Sequence, residues 1–258
     1  MAMYDNENTV RTSFDLNYTS EYLIQAQWAE FIELKKVITE ICDRNKRPVT
    51  ILDVGIGNAR IPKHLCGIKD IWDKVAFYDG TDNAMACVNI SNTEIEKLNI
   101  SDKVAAHYFD ATNLDKWDKK YDMVISTWFT AGNFHADDFP FDSYKDSGKK
   151  LDLSTNKKFT SIFRNAYYLL NPGGEVVIGA CYLNNESTRL KQEASYQKMG
   201  MTVITDAADS FTATKERFWS QRFTKEQIFN YLNFIPAEKF IFTALDTYEY
   251  AMQVRIRK

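Results

Sequence analysis

The sequence predicts an α/β fold with a doubly wound, mostly parallel sheet of seven strands, an antiparallel last strand, helices on both faces and an N-terminal helical lid. Short apolar runs alternate with segments of helical periodicity between residues 50 and 182, which is typical of a parallel sheet. A tight turn at residues 246–247 then joins the last two apolar runs, and so short a connection forces an antiparallel pair. The length of 258 residues fits a single domain of this kind.

The first part of the sequence has the pattern of a long helix followed by strand–helix units. The helix is predicted over residues 17–44, with an apolar stripe of Ile24, Trp28, Phe31, Ile38 and Ile41. Strands are predicted at 50–54, 74–78, 104–109, 122–126 and 175–181, and helices at 83–98, at 157–170 and from residue 59 onwards. The Asn-Pro-Gly-Gly sequence at 171–174 is expected to end the last of these helices.

The C-terminal part departs from this alternation. Thr224 and Gln227 predict a capping box for a helix over 225–232, and a strand over 239–245 follows it. Residues 183–223 form an insertion that predicts two strands, at 202–205 and 216–222. The single predicted domain, 1–258, is therefore divided into a lid segment (1–49), a core (50–182), the insertion, and a C-terminal helix and hairpin (224–258).

Composition narrows the class of protein. The net charge is −3, and Lys and Arg are scattered among Asp and Glu, so the sequence lacks the basic stripe that a DNA-binding protein uses to neutralise phosphates. The four cysteines have no Cys-x-x-Cys spacing, which disfavours a zinc site and predicts reduced thiols without a bound metal. The first residues are polar and no apolar run reaches membrane-spanning length, so we expect a cytoplasmic protein without membrane association.

A glycine-rich segment follows the first predicted strand. It reads Asp53-Val-Gly55-Ile-Gly57-Asn58-Ala-Arg60 and leads directly into a helix. Because glycines lack side chains, a ligand can approach the backbone and the N-terminus of that helix. A dinucleotide-binding turn requires a third glycine where this chain has Arg60, and the segment therefore disfavours NAD as the ligand.

Three further strand ends carry polar residues. Ligands of open α/β sheets bind beyond the carboxyl ends of the strands. Asp79 follows the second predicted strand, where a carboxylate can accept hydrogen bonds from both hydroxyls of a ribose. Asp110 follows the third strand, where it could accept from an adenine amino group, and Ser126 and Thr127 end the fourth. Their order along the chain predicts one ligand-binding edge of the sheet.

Five segments at and beside these strand ends form an ordered set of motifs: LDVGIGNAR, FYDGTDNAM, FDATNL, YDMVIS and LLNPGGEVVI. The first resembles LD-x-G-x-G-x-GR, the first motif of class I S-adenosylmethionine-dependent methyltransferases, and the next three are similar to the second-, third- and fourth-strand motifs of that family. The last is similar to the family's Leu-Lys-Pro-Gly-Gly turn before the fifth strand. The resemblance covers residues 50–258 and departs at Asn58-Ala59, where many members have a small residue and Gly. It implies methyl transfer, with S-adenosylmethionine as cofactor and S-adenosylhomocysteine as product.

The resemblance also implies a role for each strand end in binding this cofactor. Gly55 and Gly57 would pass under the methionine part, and Asp53 would orient the glycine loop and the cofactor's ammonium group. Asp79 would hold the ribose hydroxyls, and Asp110 would bind adenine. The full set of implied cofactor-binding residues is Asp53, Gly55, Gly57, Asn58, Arg60, Asp79, Gly80, Thr81, Asp110, Ala111, Thr112, Ser126 and Thr127.

The methyl acceptor is expected to contact two insertions, at residues 130–155 and 183–221. Both would rise above the carboxyl edge of the sheet, where loops determine specificity, and would enclose a small-molecule acceptor. Aromatic side chains beside carboxylates in residues 128–139 favour a cationic or amine acceptor. The residues expected to bind the acceptor are Trp128, Phe129, Asn133, Phe134 and Tyr182.

His135 and Asn133 are the candidate catalytic residues. An amine or hydroxyl acceptor becomes a nucleophile only after losing a proton, so a base within hydrogen-bond reach accelerates transfer. His135 lies on the loop expected to cover the transferred methyl group, with Asn133 beside it to hold the acceptor. Asp137 or Asp138 would raise the basicity of His135 or pair with a substrate cation. The alternative is that His135 is a solvated loop residue.

Three functions stay open at the level of sequence. The first is a small-molecule methyltransferase acting on nitrogen or oxygen. The second is an RNA or protein methyltransferase, although the Asn-Pro-Pro-aromatic motif of many nucleic-acid and protein-glutamine methyltransferases is missing after Ser126. The third is a protein that binds this cofactor, or NAD, without transferring a methyl group, and fold alone cannot separate these functions. The acceptor and the oligomeric state are not determined by the sequence.

Overall fold

A mixed β-sheet forms the centre of the computed structural model, which describes Tyr4 and residues 20–148, 150–245 and 249–258. The strands are β1 (Val49–Val54), β2 (Val75–Asp82), β3 (Val104–Tyr108), β4 (Tyr121–Ser126), β5 (Leu170–Leu183), β6 (Phe211–Ala213), β7 (Trp219–Phe223), β8 (Phe240–Ala244) and β9 (Ala251–Arg257). Seven of them run in the order β3-β2-β1-β4-β5-β9-β8, with parallel pairs from β3 to β5. Strand β9 is antiparallel to both β5 and β8, so the predicted fold class is confirmed.

Helices cover both faces of this sheet. They are α1 (Glu21–Asn45), α2 (Arg60–Cys66), α3 (Lys69–Trp72), α4 (Met85–Lys97), α5 (Lys157–Tyr168), α6 (Glu186–Lys198) and α7 (Lys225–Tyr231). Successive strand residues point to opposite faces, and neighbours such as Ile51 and Leu52 therefore belong to different cores. One core packs the sheet against α1, and the other packs it against α5 and α7.

Helix α1 packs along a face of the sheet, and only its first turns contact loops at the carboxyl edge. The predicted apolar stripe is correct for Phe31, Ile38 and Ile41, which are buried. It is wrong for Trp28, whose exposed fraction is 51%. Glu30 is fully buried instead, so the stripe that faces the sheet contains one charged residue.

The end of β2 and the start of β5 differ from the prediction. Strand β2 continues past Tyr78 to Asp82, because its last residues pair with β1 as far as Val54. Strand β5 begins at Leu170, within the segment predicted to end a helix. The capping box of α7 is confirmed, with Thr224 and Gln227 each bonded to the other's backbone. The turn predicted at 246–247 lies outside the described residues.

The insertion after β5 folds differently from the prediction. It begins with helix α6, which the sequence analysis missed. The partner of β7 is β6, whereas Val203, in the predicted first strand, forms only a single bridge with Thr214. Strand β7 also pairs with the end of β5, at Tyr182 and Leu183, so the β6–β7 hairpin projects from the carboxyl edge of the sheet.

A separate aromatic core joins this hairpin to the loop after β4. Phe139, Phe141 and Tyr144 of the loop pack against Phe211 and Trp219 of the hairpin. The rings of Phe211 and Trp219 are stacked, with centroids 3.9 Å apart. The two predicted insertions therefore form one structural unit above the strand ends.

Candidate active site

A cavity of about 430 Å³ lies at the carboxyl ends of the parallel strands. Its first part, here called the strand-end half, is formed by residues 54–58, 60–61, 81–83, 109–111 and Thr127. Its second part, here called the aromatic half, is formed by Asn133, Phe134, His135, Asp137, Phe139, Phe141, Lys158, Arg217, Phe218 and Trp219. Thr130 and Trp128 lie between the two halves along the chain, and Tyr4 also lines the cavity.

The glycine loop after β1 is held by the end of β2. The backbone N–H groups of Gly55 and Ile56 donate to the carbonyl oxygen of Thr81 at 2.8 and 2.9 Å. Gly55 and Gly57 have φ angles of 87° and 60°, in the left-handed region that favours glycine. A Cβ atom on Gly55 would lie 2.7 Å from Cγ2 of Thr130, so this glycine also permits the loop after β4 to approach.

Asp82 is the carboxylate at the end of β2 that lines the cavity. Its Oδ2 accepts from the N–H of Gly57 at 3.1 Å, and its Oδ1 accepts from the N–H of Ala84 at 2.9 Å. Each carboxylate oxygen accepts more than one hydrogen bond, so both keep capacity for a ligand hydroxyl. Burial raises the pKa of Asp82, and the bonds from Ala84 and Gly57 oppose that rise.

The prediction that Asp79 is the ribose-binding residue is contradicted by its position. Asp79 lies three residues before the end of β2, is fully buried and does not line the cavity. Its Oδ1 lies 2.8 Å from Nε2 of His107, and its Oδ2 accepts from Lys119 at 3.1 Å and from the hydroxyl of Tyr121. The hydrogen-bonding capacity of the Asp79 carboxylate is therefore used by three side chains of the protein itself.

Two residues predicted beside Asp79 have different positions. Thr81 lines the cavity and holds the glycine loop through its carbonyl oxygen. Gly80 does not line it, and a Cβ atom there would lie 2.1 Å from Cδ1 of Ile56. Gly80 thus makes room for the apolar side chain of the glycine loop rather than for a ligand.

Asp53 lies buried beneath the glycine loop. The hydroxyl of Tyr78 donates to its Oδ2 at 2.5 Å, while its Oδ1 is buried without a hydrogen-bond partner among the described residues. Burial raises the pKa of Asp53 to about 7, although the bond from Tyr78 and the charge of Arg60 oppose this rise. The carboxyl group is therefore close to its midpoint of ionisation at neutral pH.

Arg60 reaches the cavity from the first turn of α2 and is held by Glu30 of α1. Its Nη2 donates to Oε2 of Glu30 at 2.7 Å, and both side chains are buried. Its guanidinium lies 5.1 Å from the centre of the Trp128 ring. Among the described residues, Nη1 of Arg60 has no hydrogen-bond partner, so one donor of a buried cation is left for a ligand.

Glu30 also orders the backbone around the cavity. Its Oε1 accepts from the N–H of Trp128 at 2.9 Å and from the N–H of Ala180 at 2.7 Å. A Cβ atom at position 179 would lie 2.1 Å from this oxygen, so Gly179 is required for the carboxylate to reach β5. One side chain of α1 thereby connects the glycine-loop helix, the end of β4 and β5.

The backbone after β4 is strained at two consecutive residues. Trp128 and Phe129 have φ angles of 53° and 61°, which bulky residues rarely adopt. This conformation directs Trp128 to the cavity, but Phe129 is buried elsewhere and stacks on Tyr182 with centroids 3.7 Å apart. Neither Phe129 nor Tyr182 lines the cavity, so the prediction that they bind substrate is contradicted.

The ends of β3 and β4 complete the strand-end half. Asp110 and Ala111 line the cavity, and Oδ1 of Asp110 accepts from the N–H of Thr112 at 2.9 Å. Thr112 itself borders a neighbouring cavity. Thr127 lines the main cavity, whereas Ser126 is buried behind it, and its Oγ atom has no hydrogen-bond partner among the described residues.

Asn133, Phe134 and His135 line the aromatic half, as predicted from the sequence. Oδ1 of Asn133 is buried without a partner among the described residues. Nδ1 of His135 lies 2.6 Å from the carbonyl oxygen of Ala136, and because a carbonyl only accepts, Nδ1 carries the proton and Nε2 keeps its lone pair. Burial lowers the pKa of His135, so the ring is a neutral base at pH 7.

Of the two acidic residues predicted to act on His135, Asp137 does so, since its charge raises the pKa of the ring, although burial outweighs this effect. Oδ1 of Asp137 accepts from Nζ of Lys158 at 2.7 Å, and this pair lowers the pKa of Asp137. Asp138 does not line the main cavity, and it borders a second cavity of about 610 Å³. His135 lines both cavities and is packed between aromatic rings, including Trp219 at 5.5 Å.

Several residues that line the cavity or hold its backbone were not predicted from the sequence. Asp82 is the second aspartate of the FYDGTD segment. Its position at the end of β2 could have been predicted by pairing β2 with the full length of β1. Glu30 also has a sequence signal. It lies four residues after Ala26 and four before Leu34, and is therefore a charged residue on the apolar stripe of α1. Lys158, Arg217 and Trp219 reach the cavity only through tertiary folding, and no local pattern marks them.

Two kinds of site are not found in the part of the chain that the structure describes. No group of three or more His, Cys, Asp or Glu side chains is placed to hold a metal ion. In the same residues, no helix has the length and apolar character needed to cross a membrane.

The fold is that of class I, Rossmann-like S-adenosylmethionine-dependent methyltransferases. The CcbJ methyltransferase of Streptomyces caelestis is similar over 99% of this chain and 97% of its own, with a TM-score of 0.60 and 10% identity. Magnesium protoporphyrin IX methyltransferase of Synechocystis PCC 6803, solved with SAH, is similar over 93% and 88%, with a TM-score of 0.56 and 11% identity.

A third structure with this fold is 1,6-didemethyltoxoflavin-N1-methyltransferase of Burkholderia thailandensis, solved with its acceptor and S-adenosylhomocysteine. It is similar over 97% of this chain and 84% of its own, with a TM-score of 0.54 and 11% identity. No protein-family model matches the chain, and no curated protein is similar to it in sequence. The likeness therefore lies in the three-dimensional fold.

Proposed function

We propose that this protein is an S-adenosylmethionine-dependent methyltransferase that acts on a small molecule. The observation that carries the proposal is the composition of the cavity. A glycine loop and two strand-end carboxylates, Asp82 and Asp110, form one half, and aromatic rings around the neutral His135 form the other. This arrangement supports a nucleoside-binding surface next to an acceptor site that contains little water, both within one cavity.

The residues of the strand-end half, together with Asp53 buried beneath the glycine loop, fit the cofactor. Buried polar atoms without partners among the described residues include Oδ1 of Asp53, Oδ1 of Asn58 and Nη1 of Arg60. An unpaired buried polar group costs free energy, and a ligand with complementary groups removes that cost. Nη1 of Arg60 suits the cofactor's carboxylate, and the two acceptor oxygens suit its ammonium group.

The nucleoside part of the cofactor fits the next two strand ends. Asp82, rather than Asp79, would accept hydrogen bonds from the ribose hydroxyls. Its carboxylate lines the cavity and already holds the glycine loop through the N–H of Gly57. Asp110 and the backbone of Ala111 would bind the adenine ring. Thr127 would close this side of the cavity at the end of β4.

The chemistry of transfer requires little beyond position and a base. When bound, the cofactor would supply an electrophilic methyl group for the acceptor's lone pair, and the electron pair of the broken carbon–sulfur bond would remain on sulfur. Asn133 would hold the acceptor through its unpartnered Oδ1, and Nε2 of His135 would take the acceptor's proton. The surrounding rings exclude water from the reacting atoms.

A small-molecule acceptor with an amine or hydroxyl group is supported by the size of the site. The whole cavity measures about 430 Å³, which is within the range of small-ligand pockets and must hold cofactor and acceptor together. The toxoflavin and protoporphyrin methyltransferases with this fold are named for small-molecule acceptors. A cytoplasmic enzyme is supported by the four cysteines, which are all free thiols.

Binding and transfer are tested separately. Calorimetry should detect binding of S-adenosylmethionine and S-adenosylhomocysteine and none of NAD. Incubation with methyl-labelled cofactor and a metabolite extract should then yield a labelled small molecule, and extracts of RNA and protein should stay unlabelled. Nicotinamide binding would contradict the proposed cofactor. Cofactor binding with no labelled product from any extract would instead indicate a binding protein without transfer activity.

A further inference from the structure

The aromatic half of the cavity has planar walls. Phe134 and Phe139 come from the loop after β4, and Phe218 and Trp219 come from the β6–β7 hairpin. Trp219 is fixed by Phe211 stacked on it at 3.9 Å and by the edge of Phe139 at 4.8 Å. Rings held in this way favour a flat ligand, because aromatic pairs prefer offset-stacked or edge-to-face arrangements.

The charge of the aromatic half is positive among the described residues. Its lining contains the cations Lys158 and Arg217 and one carboxylate, Asp137. Asp142, which accepts from Nη2 of Arg217 at 2.8 Å, lies outside the cavity. A cationic acceptor would therefore meet two positive side chains in addition to the positive sulfonium of the cofactor, and an anionic acceptor would be attracted by all three.

Both cations are free to exchange their partners for a ligand. The carboxylates that hold them are exposed, with exposed side-chain fractions of 89% for Asp137 and 78% for Asp142. Such solvent-screened ion pairs contribute little to stability. Lys158 itself is only 26% exposed, so an anion inside the cavity would bind it in a less polar environment than Asp137 does.

The conformation of Arg217 supports a ligand-binding role. It is the fourth of the five residues between β6 and β7, with a φ angle of 66°, where glycine is the favoured residue. The N–H of Arg217 donates to the carbonyl oxygen of Thr214 at 3.0 Å, which closes the turn and holds the side chain at the cavity. Strained residues of this kind cluster at functional sites.

We propose, on the basis of the proposed function, that the acceptor is a small planar aromatic compound that carries an oxyanion, either a carboxylate or a phosphate. Its ring lies against the partly exposed rings of Phe134 and Phe218, and its oxyanion binds between Lys158 and Arg217. Its hydroxyl or amino group then faces His135 and Asn133. This reverses the expectation from the sequence that the carboxylates in this loop select a cationic amine.

The charge of the acceptor is tested by fractionating the metabolite extract on an anion exchanger at neutral pH before labelling. The retained fraction should support methyl transfer to a product that absorbs in the near ultraviolet, and the unretained fraction should not. Phosphatase treatment of the retained fraction abolishes labelling if the oxyanion is a phosphate and leaves it unchanged if it is a carboxylate. Label formed only from the unretained fraction, or none from the retained one, would overturn the proposal.

Two variants that should change the KM for the acceptor in opposite directions test where the oxyanion binds. Lys158→Gln should raise the KM for the purified acceptor about tenfold, as expected for the loss of a charge-assisted hydrogen bond, with cofactor affinity unchanged. Asp137→Asn removes the competing carboxylate and should lower that KM. Lys97→Gln, at an exposed ion pair on α4, is the control and should leave KM unchanged.

The direction of these shifts separates the inference from the proposed function. A purely structural role for the Asp137–Lys158 pair would move KM in the same direction in both variants, and that result would overturn the inference. Failure of the wild-type protein to bind S-adenosylhomocysteine in calorimetry would contradict the proposed function itself. Binding of that cofactor product, with transfer to a neutral or cationic acceptor, would contradict only the inference.

Discussion

At the scale of single residues, the site depends on where a carboxylate lies along its strand. Asp82, at the end of β2, accepts hydrogen bonds from the backbone N–H groups of Gly57 and Ala84 and faces the cavity. Asp79, three residues earlier, is bonded to His107, Lys119 and Tyr121 and is fully buried. Two aspartates of one motif thus have different surroundings, since Asp82 borders the cavity and Asp79 is bonded to side chains within the fold.

This difference predicts opposite effects of the same substitution. Asp82→Asn should weaken binding of S-adenosylhomocysteine at least tenfold, because the ribose hydroxyls lose a charged acceptor worth about 1.5–3 kcal/mol. Asp79→Asn should leave that affinity intact and lower the melting temperature, because Lys119 and His107 lose a buried charged partner. Calorimetry and thermal unfolding of both variants test this prediction. Reduced affinity in Asp79→Asn alone would show that Asp79, and not Asp82, binds the ribose.

His135 predicts a pH dependence of turnover. His135→Ala should reduce kcat by ~100-fold with cofactor affinity unchanged, since a positioned base typically contributes that much. Burial lowers the pKa of His135 below 6.5, so the neutral, active form persists at pH 6.5 and is lost as the pH falls further. The wild-type rate should therefore decline only on the acid side. A His135→Ala variant with near-normal turnover from about pH 6 to 9 would show that proximity and desolvation suffice.

At the scale of elements, helix α1 contributes to the site through Glu30. This residue is fully buried and bonds Arg60 and the N–H groups of Trp128 and Ala180. A helix on the face of the sheet thereby sets the geometry at the carboxyl edge. The strain at Trp128 is maintained partly by this bond, because the N–H of Trp128 is held by a charged acceptor.

Glu30→Gln should be strongly destabilising. Removing one partner of a buried ion pair leaves the other charge uncompensated, which typically costs about 3–5 kcal/mol. The same variant should bind S-adenosylhomocysteine more weakly, because Arg60 loses the bond that orients it. Glu33→Gln on the same helix is the matched control, since Glu33 forms a surface pair with Lys36 and should change stability by less than about 1 kcal/mol. Urea unfolding of both variants that gave equal stabilities would contradict this role for Glu30.

The elements of the sheet were largely predictable, and the walls of the aromatic half were not. Alternating apolar runs predict β1 to β4, and the short connection between the last two apolar runs predicts the antiparallel pairing of β8 and β9, because these features act over a few residues. The insertion was predicted as two strands and instead contains α6 and the β6–β7 hairpin, whose β6 has only three residues. Arg217 and Trp219 reach the cavity because the hairpin packs on a distant loop, and this contact has no local signature.

At the scale of the whole molecule, Asp53 links stability to pH. Its pKa is raised from 3.8 to about 7, mainly by burial. Between these values the folded protein retains a proton that the unfolded chain has released, so this group stabilises the fold below pH 4 and that contribution is lost as the pH rises to about 7. Asp53→Asn should therefore gain stability relative to the wild type on going from pH 5 to pH 7.

The measurement is the free energy of unfolding of the cofactor-free protein at several pH values in that range. The difference between the variant and the wild type isolates Asp53, because other carboxylates contribute to both. Asp122, for example, has a lowered pKa and acts in the opposite sense, since its stabilisation is lost as the pH falls. A difference that does not vary with pH would show that Asp53 is already ionised in the folded protein.

The aromatic core shared by the loop after β4 and the β6–β7 hairpin has a consequence for how such a protein diversifies. The rings of Phe139 and Trp219 belong to stretches of chain that are far apart in sequence, yet each covers the other from water. A recombination event that exchanged only one stretch would expose the partner ring and lose the packing that holds Trp219 in place. Related proteins with a different acceptor are therefore expected to differ in the loop after β4 and the β6–β7 hairpin together. Their strand ends are expected to stay the same.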